Sequence, residues 1–316
     1  MSTRTNNENK LGRRPDSPVN AGETCSACDW RSLKNGFAAI GFIGLLLCQD
    51  VSASLFTSAY LNIDRQEFNP PGLSLTIFDD LQQTSSPDNS PIGDAINPSL
   101  SYVSPNAVAR ARERVLQVGV NAEANIPGAA IYGSSGRAEA RWEARPVINV
   151  NGIAPGAKAI IPAHMRFEGS LGYRNNGYST DSVYIGLGNI SLGLSAGNGA
   201  FGAAGAAYTA TYTDPISNPS GRGFRVDAYI EEADGSVTQF VATDRRPPDT
   251  FESYRIGRTV TANVEFQTGV SFDFTARLIA TGAATVGDSG RLNWISDALN
   301  SAVWGGFGEV LIGGVA

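Results

Sequence analysis

The chain has 316 residues, enough to bury a core of its own, with a formal net charge of −6 and only 17% charged residues. A net acidic protein without Lys/Arg clusters is unsuited to bind nucleic acid or an anionic membrane surface, because phosphate groups attract basic clusters. The 36 glycines and many small side chains favour strands joined by turns over helices.

The N-terminal region has the composition of an extension followed by an export signal. Residues 1–30 are polar and rich in Asn, Arg and Ser, which predicts a disordered extension. Residues 31–53 combine a basic start, an apolar stretch and a small-x-small end, the three parts of a secretory signal. We therefore predict a signal helix over 31–53, cleaved between Ala53 and Ser54, so that the membrane is contacted only through this leader.

Two other interpretations of the apolar stretch remain open. It runs from Gly36 to Cys48, thirteen residues, whereas a helix that crosses a bilayer needs about 20. An uncleaved membrane anchor and a buried core helix are the alternatives to a cleaved signal. A lipoprotein box at Cys48 is not favoured, because the preceding Leu47 is not small.

The cysteines give no metal or redox site in the predicted mature protein. Cys25, Cys28 and Cys48 all precede the predicted cleavage point. The pair Cys25 and Cys28 has the C-x-x-C spacing, but a zinc site needs a second ligand pair, and the only histidine is His164. A secreted domain of this length does not need disulfides, because its core can stabilise it.

The pattern after the leader is a period of two, which is typical of half-buried strands. Residues 54–100 show it least, and we predict an irregular lead-in there, with a loop at 82–98. Residues 107–114 are compatible with a short helix. A phase slip near Asn189 predicts a bulge or turn. Strands are predicted at 116–124, 137–145, 183–194, 224–230, 236–243, 260–266, 272–280 and 301–312, with a hairpin turn at Asp234-Gly235 and loops at 214–223 and 245–249.

This succession of strands without long helical patterns predicts an all-β domain over residues 101–316. Antiparallel sandwich or jelly-roll-like architectures fit it better than an α/β fold. At 137–145 the alternation is strict: alanines and Trp142 share one face, and arginines and glutamates share the other. Charges of both signs along one face also protect an open sheet edge from unwanted pairing.

No motif in the chain predicts a catalytic centre, and we expect no enzyme. The G-x-G-x-x-G at 197–202 lacks the following helix and the acidic residue of a dinucleotide site. His164 has no G-x-S-x-G nucleophile motif to serve, so a strand histidine with a satisfied ring is expected. Carboxylates on one strand face, Glu139 with Glu143 and Asp227 with Glu231, keep a polysaccharide hydrolase or lyase open as an alternative.

Aromatic side chains supply the candidate binding residues. Trp142 is expected in the core because it shares a face with alanines. Trp294 follows a turn-like segment and Trp304 precedes two glycines, so these two are predicted to be exposed and to stack on sugar rings. No cofactor is predicted. A calcium site built from oxygen ligands is compatible with a secreted β domain, but no D-x-D-x-D-G loop locates it.

Several segments resemble the secreted bacterial proteins that carry the PEP-CTERM sorting signal, which exosortase recognises in exopolysaccharide-making species. They are 137–144, 251–258 leading into 272–280, and 297–307, which is similar to the Asp-Phe-x-Asn-Thr-Ala ending of those ectodomains. The resemblance covers about residues 100–316. The family's tail, Pro-Glu-Pro with a hydrophobic span and a basic end, is not found before Ala316, so exosortase sorting is not expected.

The resemblance implies an extracellular role linked to matrix or biofilm, with no shared catalytic residues. We therefore expect a secreted protein, extracellular, at the cell surface or in the periplasm, with a structural or ligand-binding role. A carbohydrate-binding module with extracellular polysaccharide as its partner is the first alternative. A polysaccharide-active hydrolase or lyase is the second.

Overall fold

In a computed structural model, the described residues are 46–68, 71–127, 130–176, 184–196, 204–214, 223–245, 251–287 and 290–312. Their regular elements are antiparallel strands, which confirms the predicted all-β, antiparallel fold. The strands, in chain order, are β1 Leu46–Phe68, β2 Pro71–Ser86, β3 Ile92–Ile96, β4 Asn106–Arg112, β5 Val115–Asn125, β6 Ala130–Val150, β7 Lys158–Asn176, β8 Tyr184–Ala196, β9 Ala204–Asp214, β10 Gly223–Glu231, β11 Val237–Arg245, β12 Phe251–Gln267, β13 Phe274–Val286 and β14 Arg291–Phe307.

The strands form two layers that face each other. The eight-stranded layer has the order β2-β1-β6-β13-β8-β9-β10-β11, and the six-stranded layer has the order β3-β4-β5-β14-β7-β12. One residue pair, Asn125 with Tyr132, joins β5 to β6, so a single sheet folds over on itself. Rings from opposite layers touch in the middle: Tyr173 of β7 stacks on Tyr212 of β9 with 3.7 Å between centroids. This arrangement is a β-sandwich.

The core lies between the layers and is filled by alternate residues of each strand. Along β6, Ala138, Ala140 and Trp142 point inward and are buried, as predicted. The small alanines leave room for large rings, and Trp142 packs edge-on against Trp304 and Phe274. Removal of this apolar surface from water, about 25 cal/mol per Å², is the main force that holds the layers together.

Four predictions about the strands are wrong. Residues 54–100 are not an irregular lead-in, since they hold most of β1 and all of β2 and β3, and the predicted loop at 82–98 contains β3. The possible helix at 107–114 is strand β4, whose alanines are buried at every second position. The last strand begins at Arg291, ten residues earlier than predicted. The charged face of β6 protects no edge, because β1 and β13 pair with its two sides.

The predicted slip near Asn189 is also wrong, and a glycine pair explains why. β8 pairs with β13 without a register shift, so Ile185 and Leu187 point outward and are about half exposed. Gly186 and Gly188 point inward, where a Cβ would lie 2.2 Å and 2.0 Å from atoms of the Trp294 ring. The glycines make room for this ring, and the apolar residues between them take the solvent side.

The predictions for the N-terminal region fall mostly outside the described residues. The extension at 1–30 and the signal helix up to residue 45 lie there. The last eight residues of the predicted signal, 46–53, are extended rather than helical and run along β6, with a register shift between Asp50 and Ala53. Ser54 then pairs with Glu143. Cleavage before Ser54 stays a prediction.

Candidate functional site

Three grooves and several polar networks lie on the outward face of the eight-stranded layer, and another groove, of about 520 Å³, lies on β3, β4 and β5 of the other layer. One groove of about 400 Å³ lies where β1, β6 and β13 meet, near Glu143. A second, of about 190 Å³, lies on the same three strands near Ser135. A third, of about 450 Å³, lies on β9, β10 and β11 beside Tyr229. Shallow polar grooves on an exposed sheet face are suited to bind an extended ligand.

The centre of this face is an ion-pair network around Glu139. The Glu139 side chain is only 10% exposed although it lies on the outward face of β6. Arg277 of β13 donates to both of its carboxylate oxygens at 2.7 Å, and Arg137 donates to Oε2 at 3.0 Å. Burial alone would raise the pKa of Glu139, but the hydrogen bonds from Arg277 and Arg137 outweigh it and hold the pKa below its ordinary value. Glu139 is therefore a fixed anion that orients two arginines.

The network continues along β6 towards the groove near Glu143. The Arg141 guanidinium lies 4.9 Å from the centroid of the Phe56 ring on β1, a cation–π contact. Its Nε is 3.2 Å from Glu143 Oε1. Ser54 Oγ donates to the other oxygen of Glu143 at 3.3 Å. Phe56, Arg141 and Glu143 thus form one connected strip that ends at the groove.

The groove near Glu143 carries charge of both signs. Its polar lining includes Ser54, Glu143, Arg145, Asp273 and Thr275. Arg145 Nε donates to Asp273 Oδ1 at 2.7 Å, and both side chains are more than half exposed. This ion pair is accessible to solvent, so its remaining donors and acceptors can bind a ligand with little rearrangement.

The sequence analysis missed the contribution of β1 to this site. Phe56 and Tyr60 lie on the outward face of β1, opposite Arg141 and Arg137 of β6. Burial and a hydrogen bond with Asp79 raise the pKa of Tyr60. The alternation Ser-Phe-Ser-Tyr-Asn over residues 54, 56, 58, 60 and 62 was the available signal. The predicted leader ends at 53 and the predicted lead-in begins at 54, so neither prediction includes a strand at these residues.

The predicted stacking residues are not part of this face. The prediction that Trp294 is exposed is wrong: its ring is fully buried between the layers, and its Nε1 donates to Ser296 Oγ at 3.1 Å. Trp304 is half-buried and packs edge-on against Trp142, Phe274 and Phe307. Both tryptophans are core residues of β14 because their strand pairs on both sides and alternates inward.

The two carboxylate pairs predicted from the sequence lie on one face, with three strands between them. Glu139 and Glu143 are on β6, Asp227 and Glu231 are on β10, and β13, β8 and β9 lie between them. The bidentate hydrogen bonds from Arg225 lower the pKa of Asp227. A general acid in glycoside hydrolysis needs a raised pKa, so neither Glu139 nor Asp227 is suited to that role.

The ring of His164 on β7 is hydrogen-bonded through Nδ1 to Thr261 Oγ1 at 2.9 Å, on the six-stranded layer. The G-x-G-x-x-G at 197–202 lies outside the described residues, as do most residues of the loops predicted at 214–223 and 245–249. Within the described ranges, no three His, Cys, Asp or Glu side chains cluster closely enough to hold a metal ion. That same part of the chain has no helix with the length and apolarity of a membrane span.

Comparisons with known proteins leave the site to be interpreted from its own chemistry. Neither a protein-family model, nor a curated protein, nor a solved structure matches the chain.

Proposed function

We propose that the protein is exported and binds extracellular polysaccharide on the outward face of its eight-stranded layer, without catalysis. The observation that carries this proposal is the groove lined by Glu143, Arg145 and Asp273, at the end of the strip that includes Phe56. Its volume, about 400 Å³, is in the usual range of ligand sites, about 300–1,000 Å³.

The chemistry of the groove fits sugar hydroxyls. Carboxylates such as Glu143 and Asp273 accept hydrogen bonds from neighbouring hydroxyls of one ring, and the Arg145 guanidinium donates to ring or hydroxyl oxygens. The apolar faces of sugars pack on aromatic rings and on flat guanidinium groups. The Phe56–Arg141 pair offers such a flat surface beside the groove.

A binding role is favoured over the hydrolase or lyase alternative by the state of the carboxylates. Glu139 and Asp227 are each held ionised by arginine, and their lowered pKa values oppose proton donation. Fixed ion pairs serve recognition, because they keep donors and acceptors in place before the ligand arrives.

Glycan-array binding of the purified protein tests the proposal, with and without a chelator to test for calcium dependence. We expect binding to one class of polysaccharide. Arg145→Ala and Asp273→Ala should each weaken it by a factor of about 10–150, since a hydrogen bond to a charged group contributes about 1.5–3 kcal/mol.

Arg166→Ala is the matched control. Arg166 is as exposed as Arg145 and also pairs with an acid, Glu168, but it lies on β7 of the six-stranded layer. Its removal should leave binding unchanged. No binding to any glycan, or an equal loss in the control, would contradict the proposal.

The export half of the proposal has a separate test. The intact mass of the protein recovered from outside the producing cell should correspond to a chain that starts at Ser54. Recovery of the uncut chain from the cytosol would contradict export without bearing on glycan binding.

A further inference from the structure

We infer that strand β11 is a self-association site, at which the β11 strands of two copies of this chain pair antiparallel and extend the eight-stranded layer from one copy into the other. Among the described residues, β11 pairs with β10 alone, so one side of its backbone is open. An open strand presents a row of N–H and C=O groups, and another strand can form hydrogen bonds with all of them.

Both faces of β11 are open as well as its edge. Every residue from Asp234 to Val241 is exposed. The apolar side chains among them point to opposite faces: Val237 is 50% exposed, Phe240 45% and Val241 47%. Apolar side chains on an open edge, covered by neither layer, gain burial when a second strand is added.

The other three edge strands carry the devices that prevent pairing. β3 has only five residues. β12 carries charges along its length, among them Glu252, Arg255, Arg258 and Glu265. β2 has exposed leucines but also Asp79 and Asp80 in mid-strand. Short, charged or interrupted edges are how native sheets avoid edge-to-edge contact. Residues 237–241 of β11 use none of these, and the one irregularity of the strand is a register shift that leaves Ala242 without a partner on β10.

The sequence of β11 favours a second copy as the partner. Residues 237–243 read Val-Thr-Gln-Phe-Val-Ala-Thr, with no charge, Pro or Gly and with high strand propensity. A two-fold axis through Gln239 would place Thr238 opposite Phe240 and Val237 opposite Val241, so every pair is uncharged and the irregularity at Ala242 lies outside the paired segment. The charges that flank the segment have partners in their own copy: Asp244 lies 3.8 Å from Arg225, and Asp234 accepts from the backbone N–H of Ser236.

Charge also selects β11 over β2 for contact between copies. The chain has a net charge of −6, so copies repel each other except where their charges are balanced. Asp64, Asp79 and Asp80 lie together on the β1–β2 hairpin, where Arg65 is paired with Glu67. Two β2 edges brought together would place these mid-strand acids against each other, whereas the paired segment of β11 carries no charge of its own.

Sedimentation velocity of the purified protein over a range of concentrations tests the inference. We expect the mass to rise from 33.2 kDa for the uncut chain towards twice that value as concentration increases. Val241→Lys should abolish the rise, because a lysine on an edge strand opposes pairing. Leu187→Lys on the central strand β8 and Leu75→Lys on β2, residues of similar exposure at 49% and 44%, should leave it unchanged.

Hydrogen exchange of the unaltered protein gives a measurement that does not depend on any variant. Amides of residues 237–243 should become more protected at high concentration, and those of β2 should not. A protein that stays monomeric at all concentrations overturns the inference. So does a dimer that survives Val241→Lys or is lost in Leu75→Lys, or a concentration effect on exchange that excludes β11.

Discussion

Strands β6 and β8 lie on either side of β13, yet they differ in which side chains they turn towards the core and which towards solvent. β6 puts charges outward and alanines inward, so its outward face is ordered by ion pairs such as Arg277 with Glu139. Over residues 185–188, β8 puts Ile185 and Leu187 outward and two glycines inward. The comparison teaches that the side chain opposite a strand, here Trp294 for β8, can decide which of its faces is buried.

Truncation of Trp294 gives the largest effect that this comparison predicts. The ring fills the space left by Gly186 and Gly188, and Trp294→Ala should lower the free energy of unfolding by about 3–5 kcal/mol, the usual cost of removing a buried aromatic ring. Chemical denaturation measures it. Trp304→Ala, which removes a half-buried ring of the same strand, should cost less. An equal cost for both would contradict the special role of Trp294 beneath β8.

Adding a methyl group on the inward face of β8 should have the next largest effect on the free energy of unfolding. A Cβ at Gly188 would lie 2.0 Å from Trp294 Nε1 and 2.4 Å from Ser296 Oγ, so Gly188→Ala should destabilise the protein by about 1–3 kcal/mol. Gly193→Ala is the control on the same strand, because a Cβ there meets nothing within 4 Å. It should be neutral or slightly stabilising, since alanine restricts the unfolded chain.

A double-mutant cycle tests whether the methyl group at Gly188 acts through the Trp294 ring. In a Trp294→Leu background the smaller side chain leaves room, so the added cost of Gly188→Ala should fall by about 0.5–3 kcal/mol, the usual coupling between residues in contact. Strict additivity in this double-mutant cycle would show that the methyl group acts on something other than the ring.

The contrast between β6 and β8 also explains which parts of the fold could be predicted from sequence. Strict alternation of charged and small residues at 137–145 fixes a strand and its buried face without reference to any partner. At 183–194 apolar residues occur on both faces. The alternation of residues alone cannot decide between a register slip and a regular strand whose inward glycines make room for an aromatic ring. That choice depends on Trp294, more than a hundred residues away in the chain.

The candidate site was less predictable than the fold for a similar reason. The carboxylates Glu139 and Glu143 were found from their spacing on one strand. Arg277, the partner of Glu139, and the ring of Phe56 come from strands that only the sheet order brings next to β6. The assignment of Trp294 as exposed failed because a turn-like segment before a tryptophan does not fix the face to which the strand turns it.

On β6 itself, neutralisation of Glu139 should lower the free energy of unfolding by a moderate amount that depends on pH. At pH 7, Glu139→Gln removes a nearly buried carboxylate from two arginines whose side chains are 49% and 46% exposed. Because water can solvate the released arginines, we expect a loss of about 1–2 kcal/mol rather than the full cost of breaking a buried ion pair. Asp227→Asn, which breaks an exposed pair on the same face, should change the free energy of unfolding by less than about 0.5 kcal/mol.

The sign of the pH dependence follows from the direction of the pKa shift. The pKa of folded Glu139 lies below its ordinary value of 4.5, so its contribution to stability is complete above that value and is lost as the pH falls through the folded pKa. The difference between the unaltered protein and Glu139→Gln should therefore shrink below pH 4.5, as urea unfolding at pH 7, 5 and 3.5 would measure. A difference that stays constant down to pH 3.5, or that grows, would mean that the carboxylate contributes through its shape and not through its charge, and the ion-pair account of the outward face of β6 would fail.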